Sequence, residues 1–249
     1  MSDALVRYER VETESGAHAA VTLDSDHNRN ALSSQLLAEL LAALERAAQD
    51  DVGAVLLAAD GKAFCAGADL KEAYRDGMDK SARELATVLR AIVALPKPVV
   101  AKVHGAARAG GLGLVAACDV AVAADHVTYA FTEARLGLAP AVISLVVLPR
   151  MTPRAVSRTF LTAASFDAAE AVASGLITAA VPAAELDAAV AGVLADLGQA
   201  DPQGAAATKR LVNADALAYL DAHVEEMVAL SAELFSSDAA RRHLAQFLG

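Results

Sequence analysis

Residues 99–125 read VVAKVHGAARAGGLGLVAACDVAVAAD, and the order of elements in this stretch decides the class of fold. The apolar runs VVAKV and DVAVAAD have the length and composition of buried strands. Between them lie the six residues HGAARA, which we interpret as a loop, and the glycine-led apolar helix GLGLVAAC. A strand, a helix and a second strand in this order predict an α/β fold.

The same alternation extends in both directions from this stretch. The segment LVRYERVETESGAHAAVTLD contains two short strands around a Ser-Gly turn, which predicts a hairpin. Ser33 or Ser34 then caps a helix, because the leucines that follow lie at the spacing of one helical face. The other predicted elements are strands at AVLLAAD, VTYAFTE and AVISLVVLP, the last of which could also be a helix, and a helix over residues 80–95 that ends at LPKP. The pattern indicates repeated ββα units.

The character of the chain changes after Pro182. Residues 183–249 are rich in Ala, Leu and Glu, have helical periodicity and contain no convincing strand. We therefore divide the chain into a ββα core, residues 1–182, and a region of three or four helices, residues 183–249. The leucines and alanines of this region outnumber what one short bundle would bury, which favours a packing surface for another subunit.

Composition excludes several classes of protein. A net charge of −10 without Trp leaves no basic stripe with stacking aromatics, so we do not expect nucleic-acid binding. No apolar run approaches the roughly 20 residues of a membrane span, and the first residues are charged, so we expect a cytoplasmic protein without a signal peptide. The six histidines have no HxxxH or HxH spacing, and we expect no metal site. Cys65 and Cys118 are interpreted as small buried hydrophobic residues.

The stretch AFCAGADLKE, residues 63–72, places small residues between a strand and a helix. Small residues leave backbone N–H groups accessible, and the start of the next helix adds its positive dipole end. Such a turn suits an oxyanion or a phosphate. The alternative is a tight turn packed under another element.

Glu133 stands at the end of the apolar run in VTYAFTEARLGLAPA, and Gly137 and Pro140 shape the loop after it. A carboxylate at the end of a buried strand is desolvated, which raises its pKa and suits it to act as a base. The alternative is an ion pair with Arg135 or another surface cation.

The pattern Gly111-x-Gly113-x-x-Ala116, with Glu133 twenty residues after Gly113, matches a loose dinucleotide-binding fingerprint. We do not favour this interpretation, because six loop residues separate the glycines from the preceding strand.

Four stretches together resemble the crotonase family, also called the enoyl-CoA hydratase/isomerase superfamily: HNRNALSSQLLAEL, AFCAGADLKE, VHGAARAGGLGLVAACDVAVAAD and FTEARLGLAPA. The resemblance covers nearly the whole chain. It implies a spiral of ββα units with a C-terminal helical trimerisation region, and a homotrimer or a dimer of trimers. It also implies an acyl-CoA thioester substrate, an enolate-like intermediate and no cofactor, since coenzyme A is part of the substrate.

The resemblance assigns roles to particular residues. The backbone N–H groups of Ala68 and Gly110 would hold the thioester oxygen, and Glu133 would be the catalytic acid/base. Further substrate contacts are implied at Ala66, Asp69 and Leu70, along the pantetheine and adenine, and at Gly111, Gly113 and Pro140.

One departure from the family affects the reaction. Family hydratases use two glutamates, and Gly113 stands where the first would fall. Asp119 is six residues further along and points elsewhere, whereas Asp69 and Glu72 in the opposite wall remain candidates. Four interpretations stay open: a 2-enoyl-CoA hydratase, which we favour, a Δ3,Δ2-enoyl-CoA isomerase that uses Glu133 alone, a dinucleotide-dependent oxidoreductase, and a non-catalytic acyl-CoA binder.

Overall fold

The computed structural model describes residues 4–248, with side chains up to residue 244. The strands in this part are β1 (Val6–Thr13), β2 (Gly16–Leu23), β3 (Ala54–Ala59), β4 (Ala63–Cys65), β5 (Val99–Val103), β6 (Ala106–Arg108), β7 (Val120–Ala124), β8 (Thr128–Ala130), β9 (Phe166–Asp167) and β10 (Ala179–Val181). The helices are α1 (Ser34–Gln49), α2 (Leu70–Asp76), α3 (Met78–Ala94), α4 (Gly110–Ala117), α5 (Ala141–Val147), α6 (Pro153–Thr162), α7 (Ala168–Ser174), α8 (Leu186–Gly198), α9 (Pro202–Val212), α10 (Ala214–Phe235) and α11 (Asp238–Leu248).

The strands form two sheets, and consecutive strands enter them alternately. One sheet has the order β1-β2-β3-β5-β7-β10, and the other has the order β4-β6-β8-β9. Thus β3, β5 and β7 enter the first sheet, while β4, β6 and β8 enter the second, and one or more helices follow each pair. This arrangement confirms the predicted α/β fold of repeated ββα units.

Local signals in the sequence set several boundaries. The predicted hairpin is present, with β1 and β2 antiparallel. The side chain of Ser33 accepts a hydrogen bond from Leu36 N and caps α1, whose leucines at the predicted spacing face the core. Helix α3 ends one residue before the Leu95-Pro96 step, as the prolines predict.

The structure corrects one element that was predicted from the sequence and decides another that the sequence left open. The HGAARA segment is not entirely loop, because Ala106–Arg108 form β6. This strand has only three residues and depends on pairing with β4 and β8, so it has no detectable periodicity of its own. The run AVISLVVLP, left open between strand and helix, forms α5. Every residue of α5 is buried, so no polar face marks its helical period.

The C-terminal helices pack against the core of their own chain. Leu186, Val190, Leu220 and Val228 belong to the same hydrophobic cluster as the sheets. Helix α8 covers strands of the six-stranded sheet, and α10 lies against α3 and α5. None of the helices in the described part of the chain combines the length and apolar character needed to cross a bilayer.

A buried polar network fastens α9 to this core. Lys209 Nζ lies 2.7 Å from Asp119 Oδ2 and donates to Ile92 O and Lys97 O. Asn213 donates to the other oxygen of Asp119 at 2.8 Å. Asp119 therefore has a structural role, in agreement with the expectation that it points away from the site.

Candidate active site

A cleft of about 870 Å³, a volume that includes open solvent at its mouth, lies where the two sheets meet the C-terminal helices. Its lining is predominantly apolar and comes from segments spread along the chain: Leu32, Leu37, Ala66, Ala68, Leu70, Met78, Ser81, Ala82, Leu85, Ala109, Gly110, Thr132, Glu133, Leu136, Leu138, Ala139, Pro140, Ala141, Val142, Ile143, Ser231 and Leu234. An apolar cleft with a few polar groups is the usual form of a small-molecule site.

The small-residue turn after β4 is attached to the loop before α1. Leu32 N donates to Gly67 O at 2.8 Å, and Asp69 N donates to Leu32 O at 3.3 Å. Ala66 N donates to Arg29 O at 3.0 Å. These bonds occupy the N–H groups of Ala66 and Asp69, while Ala68 N donates no hydrogen bond to another backbone group within residues 4–248. Because Ala68 lines the cleft, the turn presents the N–H group of Ala68 there as an available donor.

Gly110 supplies a second donor beside the first. It is the first residue of α4, so its N–H has no partner within the helix, and no bond to another described group is formed. A Cβ placed on Gly110 would lie 3.7 Å from Ala68 N, which shows how closely the two segments approach. Two available N–H groups side by side on an apolar wall can stabilise a developing oxyanion.

Backbone conformation keeps the two segments close. Ala109 has φ 46° and ψ −118°, a strained combination for a residue with a side chain. Gly67, with φ +97°, faces it: a Cβ there would lie 3.0 Å from Ala109 Cβ and 3.1 Å from Arg108 O. Glycine is therefore required at position 67 for both its conformation and its size.

Glu133 lies in the same cleft, at the start of a 3-10 turn that follows β8. Its Oε2 atom is buried and has no hydrogen-bond partner in the described part of the chain. Burial raises the pKa of Glu133 to about 7, although a hydrogen bond from its own backbone N–H acts in the opposite direction. The alternative pairing with Arg135 is not formed, since no ion pair among the described residues includes Glu133. A carboxyl group with a pKa near neutrality can both accept and donate a proton.

The predicted site residues fall into two groups. Ala66, Ala68, Leu70, Gly110, Glu133 and Pro140 all line the cleft. Three others do not. Asp69 caps α2 through bonds from Lys71 N and Glu72 N and borders a neighbouring polar cleft. Gly111 packs against Cys65, and Gly113 packs against Ile143. Their contacts with a substrate remain predictions.

Sequence reasoning missed two walls of the cleft. Helix α3 contributes Met78, Ser81, Ala82 and Leu85, which share one helical face. That spacing was visible in the sequence, but nothing in it indicated which face meets the site. Helix α10 contributes Ser231 and Leu234, about one hundred residues from Glu133 and without a motif.

The chain matches the family model described as enoyl-CoA hydratase/isomerase over residues 13–249. A protein of Rhodobacter capsulatus named "Probable enoyl-CoA hydratase" is 33% identical, with 100% of this chain and 96% of that protein covered. Among solved structures, an enoyl-CoA hydratase from Mycobacterium avium is 47% identical with a TM-score of 0.92, covering 99% of this chain and 96% of that one. An enoyl-CoA isomerase of Mycobacterium tuberculosis is 28% identical with a TM-score of 0.83. This match covers 92% of this chain and 99% of that one.

Gly67→Ala tests whether the spacing of the two N–H groups matters. The added methyl would force Ala109 away, and we expect kcat to fall roughly 10²–10³-fold, the cost of losing one such donor. Gly77→Ala is the matched control, because Gly77 also has φ +97° but open space around it. Steady-state kinetics and thermal unfolding of both variants distinguish the effect of displaced N–H donors on kcat from the effect of backbone strain on stability. Equal kcat values in the two variants would contradict the role of the donors.

Glu133→Gln should stabilise the protein at alkaline pH. The folded carboxyl group keeps its proton up to about pH 7, whereas the unfolded chain releases it near 4.5, so folding is increasingly penalised between these values. The penalty is absent below that range and complete above pH 7. We expect the variant to gain about 3 kcal/mol in free energy of unfolding at pH 8 and less than about 1 kcal/mol at pH 5.

Urea unfolding at both pH values measures this difference, and Glu226→Gln, on an exposed position of α10, is the control. A gain that is the same at pH 5 and pH 8 would show that Glu133 is not held protonated by burial.

Proposed function

Because this chain belongs to the enoyl-CoA hydratase/isomerase family and is an enzyme of that family, we propose that it hydrates 2-enoyl-CoA thioesters with Glu133 as its acid/base. The observation that carries the proposal is the placement of Glu133. It is the only titratable side chain among the described residues that line the cleft, and it shares that cleft with the N–H groups of Ala68 and Gly110.

The geometry supports a two-stage addition of water. The thioester oxygen would accept hydrogen bonds from Ala68 N and Gly110 N. Glu133 takes a proton from water as the water oxygen bonds to the β-carbon, and the electron pair of the double bond moves onto the thioester oxygen. The enolate then collapses, and the proton on Glu133 passes to the α-carbon. One carboxyl group thus completes the addition and returns to its ionised state.

The other candidate carboxylates are already engaged. Asp69 caps α2 with its Oδ1 atom, and Glu72 Oε2 accepts a hydrogen bond from Ser34 N at 3.1 Å. Neither of these residues lines the cleft that contains Glu133. A single acid/base mechanism is therefore the one that the arrangement favours.

Isomerisation is the second candidate. Moving a double bond from the 3- to the 2-position requires one group to take a proton from the α-carbon and return it at the γ-carbon. The apolar lining, in which Glu133 is the only titratable group among the described residues, suits this transfer because no further group is needed to hold water. One of the similar solved structures is named an isomerase.

The remaining two interpretations fit less well. The glycines of the dinucleotide-like pattern face protein atoms: Gly111 lies against Cys65 and Gly113 against Ile143, which leaves no room for a pyrophosphate. A purely binding protein would gain nothing from a buried, unpartnered carboxyl group in its cleft.

Glu133→Gln should lower kcat by 10²–10⁴-fold while acyl-CoA binding persists, since the amide is nearly isosteric but cannot carry the proton. The assay uses crotonyl-CoA and but-3-enoyl-CoA, followed by the absorbance of the conjugated thioester. Loss of absorbance indicates hydration, and a gain indicates isomerisation. For the wild type, kcat/KM for hydration should rise with pH through about 7, as Glu133 loses its proton.

Glu72→Gln is the matched control for this experiment. If Glu72→Gln abolishes turnover and Glu133→Gln keeps more than about a tenth of wild-type kcat, the base has been assigned to the wrong glutamate.

We also propose a homotrimer or a dimer of trimers. Leu211 and Val212 at the end of α9 and Leu161 on α6 are exposed, which supports a further packing surface. Light scattering at micromolar concentration should give a mass three or six times 25.5 kDa. A mass of one chain would contradict this proposal.

A further inference from the structure

Gly113 has no space for a side chain because Ile143 fills it. A Cβ on Gly113 would lie 2.7 Å from Ile143 Cγ2, which is too short for two carbon atoms in contact, and 3.2 Å from Ile143 Cβ, which is a tight contact. Leu89 Cδ1 follows at 3.5 Å. The blocking atoms belong to the branched part of isoleucine, which is stiff in a helix, so the side chain cannot simply rotate aside.

Ile143 also separates Gly113 from the cleft. It lines the cleft, whereas Gly113, though on the same helix as Gly110, does not. Ile143 is 3% exposed and lies on α5, a helix in which every residue is buried. The wall at this point is therefore a rigid methyl surface, held from behind by α4.

In the proposed binding mode, this wall lies beside the carbons next to the thioester, because Ile143 lines the same cleft as Ala68, Gly110 and Glu133. Position 113 is three residues beyond the donor Gly110, a rise of about 4.5 Å along α4. An extended acyl group held at Gly110 N by its thioester oxygen reaches its β-carbon over a similar distance. Among the described residues the cleft contains no Lys, Arg, His or Asp side chain to receive a charged acyl group.

From these observations we infer that Ile143 determines specificity: by filling the space beside Gly113, it limits the enzyme to acyl-CoA substrates whose acyl group is uncharged and unbranched at the β-carbon. The inference rests on the proposed function, since it assumes that the thioester oxygen binds at Ala68 N and Gly110 N.

Calorimetric binding of two saturated thioesters tests it without turnover. Butanoyl-CoA and 3-methylbutanoyl-CoA differ by one methyl group at the β-carbon. The wild type should bind butanoyl-CoA at least about tenfold more tightly, the discrimination that one methylene typically brings. Ile143→Ala should remove or reverse this preference. Ile143→Val, a milder truncation, should shift the preference in the same direction. If the alanine variant does not fold, the valine variant tests the inference in its place.

Ile177→Ala is the matched control, since Ile177 is equally buried but lies outside the cleft. It should keep the wild-type preference. A wild type that binds neither thioester would overturn the proposed function and this inference with it. A wild type that binds both, with the same ratio in the folded Ile143 variants, would overturn the inference alone.

A second measurement tests the contact itself. Gly113→Ala should lower the unfolding temperature of the wild type but not that of Ile143→Ala, because the added methyl then occupies vacated space. An equal loss in both backgrounds would show that Ile143 is not what keeps position 113 a glycine.

Discussion

The close approach of two backbone segments is the constraint on which the site depends. Residues 66–68 and 109–111 follow β4 and β6, which pair in parallel in the second sheet. A Cβ on Gly111 would lie 2.6 Å from Cys65 O, so side chains cannot separate the segments. The pairing of the strands therefore fixes the distance between the Ala68 and Gly110 N–H groups and keeps both at the wall of the cleft.

Glu133 shows how chemistry and stability oppose each other at this wall. Burying its Oε2 atom without a partner raises the pKa of the carboxyl group to about 7. The same desolvation disfavours the ionised form in the folded protein, so the group that we propose as the base reduces stability above that pH. A surface cation would relieve this cost, but it would also lower the pKa and weaken the base.

The C-terminal helices complete the cleft in addition to covering the sheet. Ser231 and Leu234 of α10 form part of the wall. Helix α11 packs against the loop after Glu133, where a Cβ on Gly137 would lie 3.2 Å from Ala239 Cβ. The residues assigned to an oligomerisation region thus also shape the site within one chain, and their role between chains stays a prediction. Ion pairs such as Arg90–Asp221 connect α10 and α3 at the protein surface.

Local signals in the sequence predicted the hairpin, the alternation of most core strands and helices, the cap at Ser33, the glycine-rich turns and the position of Glu133 after an apolar run. These features are local, because periodicity and capping act over a few residues. Tertiary structure alone decided that β6 is a strand and that Ile143 occupies the space beside Gly113. It also decided how far burial raises the pKa of Glu133. Packing and desolvation depend on groups that are distant along the chain, and no local pattern records which of them will meet.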